Sequence, residues 1–261
     1  MASFYRERST LTKRANPKAL YDMHRVNIWS SPRNISTALM YSFAQRPDTR
    51  VVDEPLYAHY LLESGKTHPG RAEIIDEMEN SGLRVVTQML SDDWGSTVVL
   101  FKQMTHHLIG LDRDFLNRME NIILIRNPEE IIFSYSKVIP KVFMEDIGIK
   151  MQYDLYQHLL EANKLCAVVD VKNLLMDPEG VLTGLCEAVG IPFYKEMLSW
   201  EAGARTEDGV WAKYWYENVH KSTGFQPYKA KDIELNQELK ALALECQKYY
   251  DFLLNKSIKA R

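Results

Sequence analysis

Short apolar runs, each followed by a turn and then a helical pattern, recur along the chain. "VNIW" leads into "ISTALMYSFAQ", "RVVDE" into "PLYAHYLLES" and "TVVLFKQ" into "LDRDFLNRM". "NIILIR" leads into "PEEIIFSYSKV", and "AVVDV" into "DPEGVLTGLCEAVG". Strands that are apolar throughout, rather than at alternate positions, are buried on both faces. Five of them alternating with helices predict an α/β fold, a parallel β-sheet flanked by helices.

Helix-start signals reinforce this pattern. Asn127 precedes Pro128, Glu129 and Glu130, and Asp177 precedes Pro178 and Glu179. In each case a capping side chain is followed by a proline at the first helical position and acidic residues near the positive helix end. Leu235, Leu239, Leu242, Cys246, Tyr249 and Leu253 recur at helical spacing, so residues 231–261 are expected to form a helix packed on the domain. "HPGRAEIIDEMENSG" reads as a helix and loop outside the sheet. "EDGVWAKYWYENVHKSTGFQPY" is an aromatic-rich irregular stretch of the kind that lines a site.

Residues 1–261 are read as a single domain, with residues 1–24 a basic and polar N-terminal arm. A formal net charge of −3 removes any global basic field, so nucleic acid is not an expected partner. Cys166, Cys186 and Cys246 lie far apart, without zinc-ligand spacing or a disulfide framework. No apolar run is long enough for a membrane span, and the expectation is a cytoplasmic protein with no metal requirement. No feature of the chain sets an oligomeric state.

Chemistry concentrates at the carboxyl ends of the predicted strands, where ligands bind in open α/β sheets. After the first strand, "SSPRNIST" has the shape of a phosphate-binding loop but lacks Gly-Lys-Ser/Thr. A helix N-terminus there offers free N–H groups and a positive dipole end to an anion. Ser36 and Thr37 add hydroxyls, and Arg33 adds a planar fork suited to phosphate or sulfate oxygens. Arg126 directly follows the fourth strand, with Ser134 eight residues later. A buried arginine needs an anionic partner, which a ligand would supply.

Together these elements resemble the sulfotransferases that use 3′-phosphoadenosine 5′-phosphosulfate (PAPS) and release adenosine 3′,5′-bisphosphate (PAP). Pro32, Arg33, Asn34, Ile35, Ser36 and Thr37 align with the cytosolic branch's Pro-Lys-x-Gly-Thr-Thr loop for the 5′-phosphosulfate. Arg126 and Ser134 take the places of the family's 3′-phosphate clamp. "VVDVKNLLMDPEGVLTGLCEAVGIP" is similar to its Tyr-Glu-Asp-Leu, Asp-Pro and Leu-Gly-Ile/Leu-Pro stretch. The resemblance implies a P-loop-like nucleoside-triphosphate-hydrolase-type fold, with a small-molecule acceptor. Arg33 replaces the common lysine, and Ile35 replaces glycine, so the turn is expected to avoid positive φ there. Val171 stands where cytosolic members have a tyrosine against adenine. The C-terminal Arg-Lys-Gly signature is absent, and Ser222, Thr223 and Gly224 of "HKSTGF" are assigned its place. The pattern is closer to the bacterial-type, small-molecule branch, sometimes labelled aminotransferase-like; no lysine has a pyridoxal-phosphate context.

The resemblance implies in-line sulfuryl transfer by positioning and charge neutralisation, with no metal ion. Arg33 would stabilise charge on the leaving phosphate, Ser36 and Thr37 would hold its oxygens, and Arg126 and Ser134 would orient the donor. An acceptor hydroxyl or amine needs a base. Asp53, Glu54 and His59 follow the second strand, and Lys102, His106 and His107 the third. Glu54, expected in extended backbone before Pro55, is the favoured base. His107 or His106 would assist it or bind the acceptor, and Lys102 would contact the bridging oxygen. Tyr57, Tyr60, Trp94, Trp211, Trp215 and Tyr216 are candidates for the acceptor wall. The rival readings are a P-loop kinase-like phosphotransferase and a nucleotide-binding, non-catalytic scaffold.

Overall fold

The structure, a computed structural model, describes residues 23–260 other than 138 and 140. The basic arm expected over residues 1–24 therefore lies outside the described residues, apart from its last two. The five apolar runs form β1 (His24–Ser30), β2 (Thr49–Asp53), β3 (Val98–Met104), β4 (Glu120–Ile125) and β5 (Leu165–Asp170). They make one sheet of order β2-β3-β1-β4-β5, with every neighbouring pair parallel.

Successive side chains of a strand point to opposite faces, and here both faces are covered. Val26 and Ile28 of β1, Leu100 of β3 and Ile122 and Leu124 of β4 pack in one core. That core includes Leu39, Met40 and Phe43 of α1 (Ser36–Ala44). Trp29, Val99, Phe101, Ile123 and Ile125 face the second core. On that side lie α2 (Gly82–Ser91), α3 (Pro128–Tyr135), α4 (Ile149–Glu161) and the C-terminal α5 (Gln237–Lys256), each with residues in this core.

The cap signals operate as read. Asn127 accepts from the Glu129 N–H, with Pro128 at the helix start, and Asp177 accepts from the Gly180 N–H. Helix α5 packs on the domain through Cys246, Tyr250 and Leu253, with Leu239, Leu242 and Tyr249 partly buried beside them. The Tyr250 hydroxyl also donates to Asp170 Oδ2 at 2.9 Å, tying α5 to the end of β5. "LDRDFLNRM" does not form the expected α-helix: only a short 3-10 turn over Asp114–Arg118 appears. Among the described residues no helix is long and apolar enough to cross a membrane.

The strand order has a functional consequence. The chain leaves β1 toward the β2 edge, returns through β3, then crosses to β4 on the other side of β1. That reversal opens a crevice beyond the carboxyl ends of β1, β3 and β4, where an α/β sheet holds its ligand.

Candidate active site

The first wall of the crevice is the turn between β1 and α1. Arg33 has φ 61° and Ile35 φ 47°, both left-handed. The expectation that Ile35 avoids positive φ is therefore wrong. The strain costs about 1–2 kcal/mol per residue, so the surroundings must hold the turn. Asn34, buried, donates from Nδ2 to the Leu124 carbonyl of β4 at 2.6 Å. Arg126 donates from Nη1 to the Arg33 carbonyl, also at 2.6 Å. The Asn34 side chain thus anchors the loop to the sheet. Ile35, the residue before helix α1, provides no side-chain cap, leaving the helix's opening N–H groups without that partner.

The end of β4 forms the second wall. Arg126 grips Glu130 Oε2 from Nε at 3.0 Å and Nη2 at 2.6 Å, so an internal carboxylate supplies its anionic partner. Tyr228 donates to the other oxygen of Glu130 at 2.9 Å. Ser134 Oγ accepts from Arg33 Nε at 3.0 Å, which brings Arg33 beside the clamp residues rather than only at the α1 end. Lys231, which the sequence reading did not single out, lines the same cavity. Burial, and then Arg126, depress the pKa of both Arg33 and Lys231. Arg33 and Lys231, both disfavoured as cations beside Arg126, are the charges that gain most from an added anion.

Opposite lies a buried charge network. Asp53 and Lys102 face each other across the parallel pairing of β2 and β3. Lys102, 1% exposed, places Nζ 2.9 Å from Asp53 Oδ1, 2.5 Å from Glu54 Oε1 and 2.7 Å from the Tyr216 hydroxyl. An ammonium has three hydrogens, so all its donors are engaged and it is not a solvated strand-end charge. Asp53 and Glu54 outweigh the burial that opposes its charge, holding its pKa well above the ordinary lysine value. Burial pushes Glu54 up to about 7; Lys102 opposes that shift and Asp53 adds to it. The Glu54 backbone is not extended as expected: φ is 40°. Its N–H donates to the Lys102 carbonyl and its own carbonyl accepts from the Tyr57 N–H, which bends the chain sharply from β2 into the next helix.

His107 Nε2 stands 3.7 Å from Glu54 Oε2, and neither ring nitrogen has a hydrogen-bond partner among the described residues. Burial lowers His106 to about 3 and His107 well below its usual value, so both are neutral imidazoles. His59 is turned away, its Nε2 bonded to the Ile109 carbonyl at 2.8 Å. His68, missed because its loop was read as lying outside the sheet, bonds the Tyr57 hydroxyl at 2.8 Å and lines the cavity.

Both walls open into one cavity of about 460 Å³. Arg33 to Thr37, Arg126, Ser134 and Lys231 line it together with Glu54, Lys102, His106 and His107. Tyr57, Trp211, Trp215 and Tyr216 supply aromatic surface. Tyr60 packs behind them on His106, and Trp94 lies elsewhere, against Phe101. Ser222 and Gly224 reach the cavity, whereas Thr223 turns its carbonyl to the Trp200 N–H. Val171 is core, and Leu175 faces the cavity instead.

Two Arabidopsis thaliana proteins are similar to this chain: branched-chain-amino-acid aminotransferase-like protein 1, 44% identical over 208 residues, and protein 2, 41% identical over 204. Each match covers 78% of this chain but only 37% and 36% of the respective relative, so the chain spans little more than a third of their length. The solved sulfotransferase from Alicyclobacillus acidocaldarius shares the fold, with a TM-score of 0.53 and 10% identity over 90% of this chain and 97% of that one. The family model described as "Sulfotransferase domain" matches residues 24–245, and the chain belongs to that family.

Proposed function

We propose that the protein transfers a sulfuryl group from PAPS to a hydroxyl or amine of a small organic acceptor. The observation that carries this reading is a single cavity with two chemically distinct sides. Arg33, Arg126 and Lys231 gather positive charge beside an uncapped helix start. Across from them stands Glu54, a buried carboxylate whose proton affinity lies near neutrality.

Each residue has a role on this reading. The N–H groups and hydroxyls of Ser36 and Thr37 hold the 5′-phosphosulfate oxygens. Arg126, Ser134 and Lys231 face the 3′-phosphate, with Arg33 spanning from that clamp toward the leaving phosphate. Glu54 accepts the acceptor's proton as the new bond to sulfur forms and the bond from sulfur to the bridging phosphate oxygen breaks, releasing PAP. A carboxylate with a pKa of about 7 is well matched to this work near neutral pH. Lys102 is saturated by its three acceptors, so it sets the charge around Glu54 rather than supplying a free donor. Among the described residues the acceptor side offers aromatic faces and neutral imidazoles but no unpaired cation, which favours an acceptor without negative charge.

Glu54→Gln tests the proposal. Calorimetric affinity for PAP stays within about twofold, while PAPS-dependent turnover falls by about 10²–10⁴. Near-normal turnover would remove Glu54 from the role of base. PAP binding without transfer to any acceptor would favour a non-catalytic scaffold, and magnesium-dependent ATP turnover a kinase.

A further inference from the structure

Resting on the reading of Glu54 as base, we infer that Tyr216 is a positioning residue: its hydroxyl fixes Lys102 between Asp53 and Glu54 and so sets how readily Glu54 takes a proton.

The geometry leaves this hydroxyl no freedom. A phenol has one hydrogen to give and two lone pairs to offer, and all three are used. Tyr216 donates to Asp53 Oδ2 at 2.7 Å and accepts from Lys102 Nζ at 2.7 Å and Trp211 Nε1 at 3.1 Å. The Lys102 ammonium is equally committed, with one acceptor each from Asp53, Glu54 and Tyr216. Each group fixes the direction of the other. Lys102 is therefore shared between two carboxylates and cannot swing onto either one without breaking the bond to Tyr216.

The groups facing Glu54 come from several elements. Asp53 precedes it on β2, Lys102 lies on β3, His107 follows that strand, and Tyr57 opens the next helix. Tyr216 comes from the aromatic stretch far along the chain. Only Lys102 is a fixed positive charge, since His107 is held neutral. How closely Lys102 approaches Glu54 is then the main adjustable influence on the base, and Tyr216 controls it. Asp53 Oδ2 also accepts from the Gly209 N–H at 3.2 Å. The aromatic stretch is thereby seated on the same network, so the base has its charge environment only with that stretch in place.

Two substitutions move Glu54 in opposite directions. In Tyr216→Phe, Asp53 loses a donor and draws Lys102 toward itself; Glu54 loses part of its cation and its pKa rises by about one unit. In Asp53→Asn, Lys102 is released to Glu54 and a neighbouring negative charge disappears, so the Glu54 pKa falls by about one unit. Both are read on the full chain carrying ¹³C-labelled glutamate side chains, with the Glu54 resonance assigned by its loss in Glu54→Gln. Opposite shifts support the inference. Unchanged titration, or two shifts of the same sign, overturns it. Should Tyr216→Phe fail to fold, Asp53→Asn decides alone, and a Glu54 pKa that rises or stays fixed sinks the shared-lysine account. If both shifts occur yet Glu54→Gln retains normal turnover, the positioning role stands and the base assignment falls.

Discussion

Replacing Lys102 by methionine removes the one cation that, among the described residues, bonds both buried carboxylates, Asp53 and Glu54. The side chains of Asp53 and Glu54 are 1% and 7% exposed. Breaking such a buried pair from one side costs about 3–5 kcal/mol. The part of that loss carried by Glu54 has a ceiling, the cost of protonating it in the variant: counted from its folded value of about 7, this is about 1.4 kcal/mol at about pH 8 and close to zero at about pH 5.5, and the remainder falls on Asp53. The sign follows from linkage. With a folded-state pKa near 7, above the unfolded value, Glu54 contributes stability that is complete below pH 4.5 and is lost as pH rises through 7. Without Lys102 the folded pKa climbs further, so the decline continues to higher pH and the gap between variant and parent widens with pH. Urea unfolding followed by tryptophan fluorescence measures this directly. The expected loss is about 3–5 kcal/mol at about pH 8, smaller by at least about 1.4 kcal/mol at about pH 5.5, where Glu54 is already protonated in the parent. A loss below about 1 kcal/mol at the higher pH, or one that does not change with pH, would refute the view that Lys102 neutralises both carboxylates.

Two further outcomes follow from the same geometry. Lys231→Ala should weaken calorimetric PAP binding about tenfold, with a shallower salt dependence, because a charge-assisted contact is lost; unchanged affinity would take Lys231 out of the anion wall. Asn163, exposed at φ 54°, ends helix α4, and Asn163→Gly should raise the urea midpoint by an amount equivalent to up to about 1 kcal/mol; a lowered midpoint would mean the asparagine side chain contributes more than the backbone costs.

What the chain revealed in advance were features set by local physics. The five strands were legible because burial on both faces writes them as unbroken apolar runs, and Val26, Val99 and Ile123 bear this out. Asn127 and Asp177 marked helix starts because capping needs only a side-chain oxygen two or three residues upstream of a free N–H. The short turn at Asp114–Arg118 was misread as an α-helix because its apolar spacing suits either form. Other features depend on contacts between residues far apart in the chain. Lys231 and Tyr228 lie in an irregular segment with no periodicity to place them. Tyr216 was read as an aromatic wall residue, and its ring does line the cavity. Its hydroxyl chemistry became visible only when Lys102, 114 positions away, was brought to 2.7 Å.

The backbone at the cavity departs from local expectation in one consistent way. Four non-glycine residues among those described have positive φ: Arg33, Ile35, Glu54 and Asn163. Three of them line the cavity. Glycine would relieve about 1–2 kcal/mol at each of Arg33, Ile35 and Glu54, and a rule based on that cost predicts that Ile35 avoids the conformation it adopts. The cost is tolerated because partners distant in sequence fix these turns: the Leu124 carbonyl through Asn34, Arg126 through the Arg33 carbonyl, and the Lys102 carbonyl through the Glu54 N–H. Glycine at Arg33 or Glu54 would also delete the guanidinium and the carboxylate on which the proposed chemistry depends. Local preference gives way where a side chain must stand on a sharply turned backbone, so the positions at which the sequence rule fails are themselves pointers to the site.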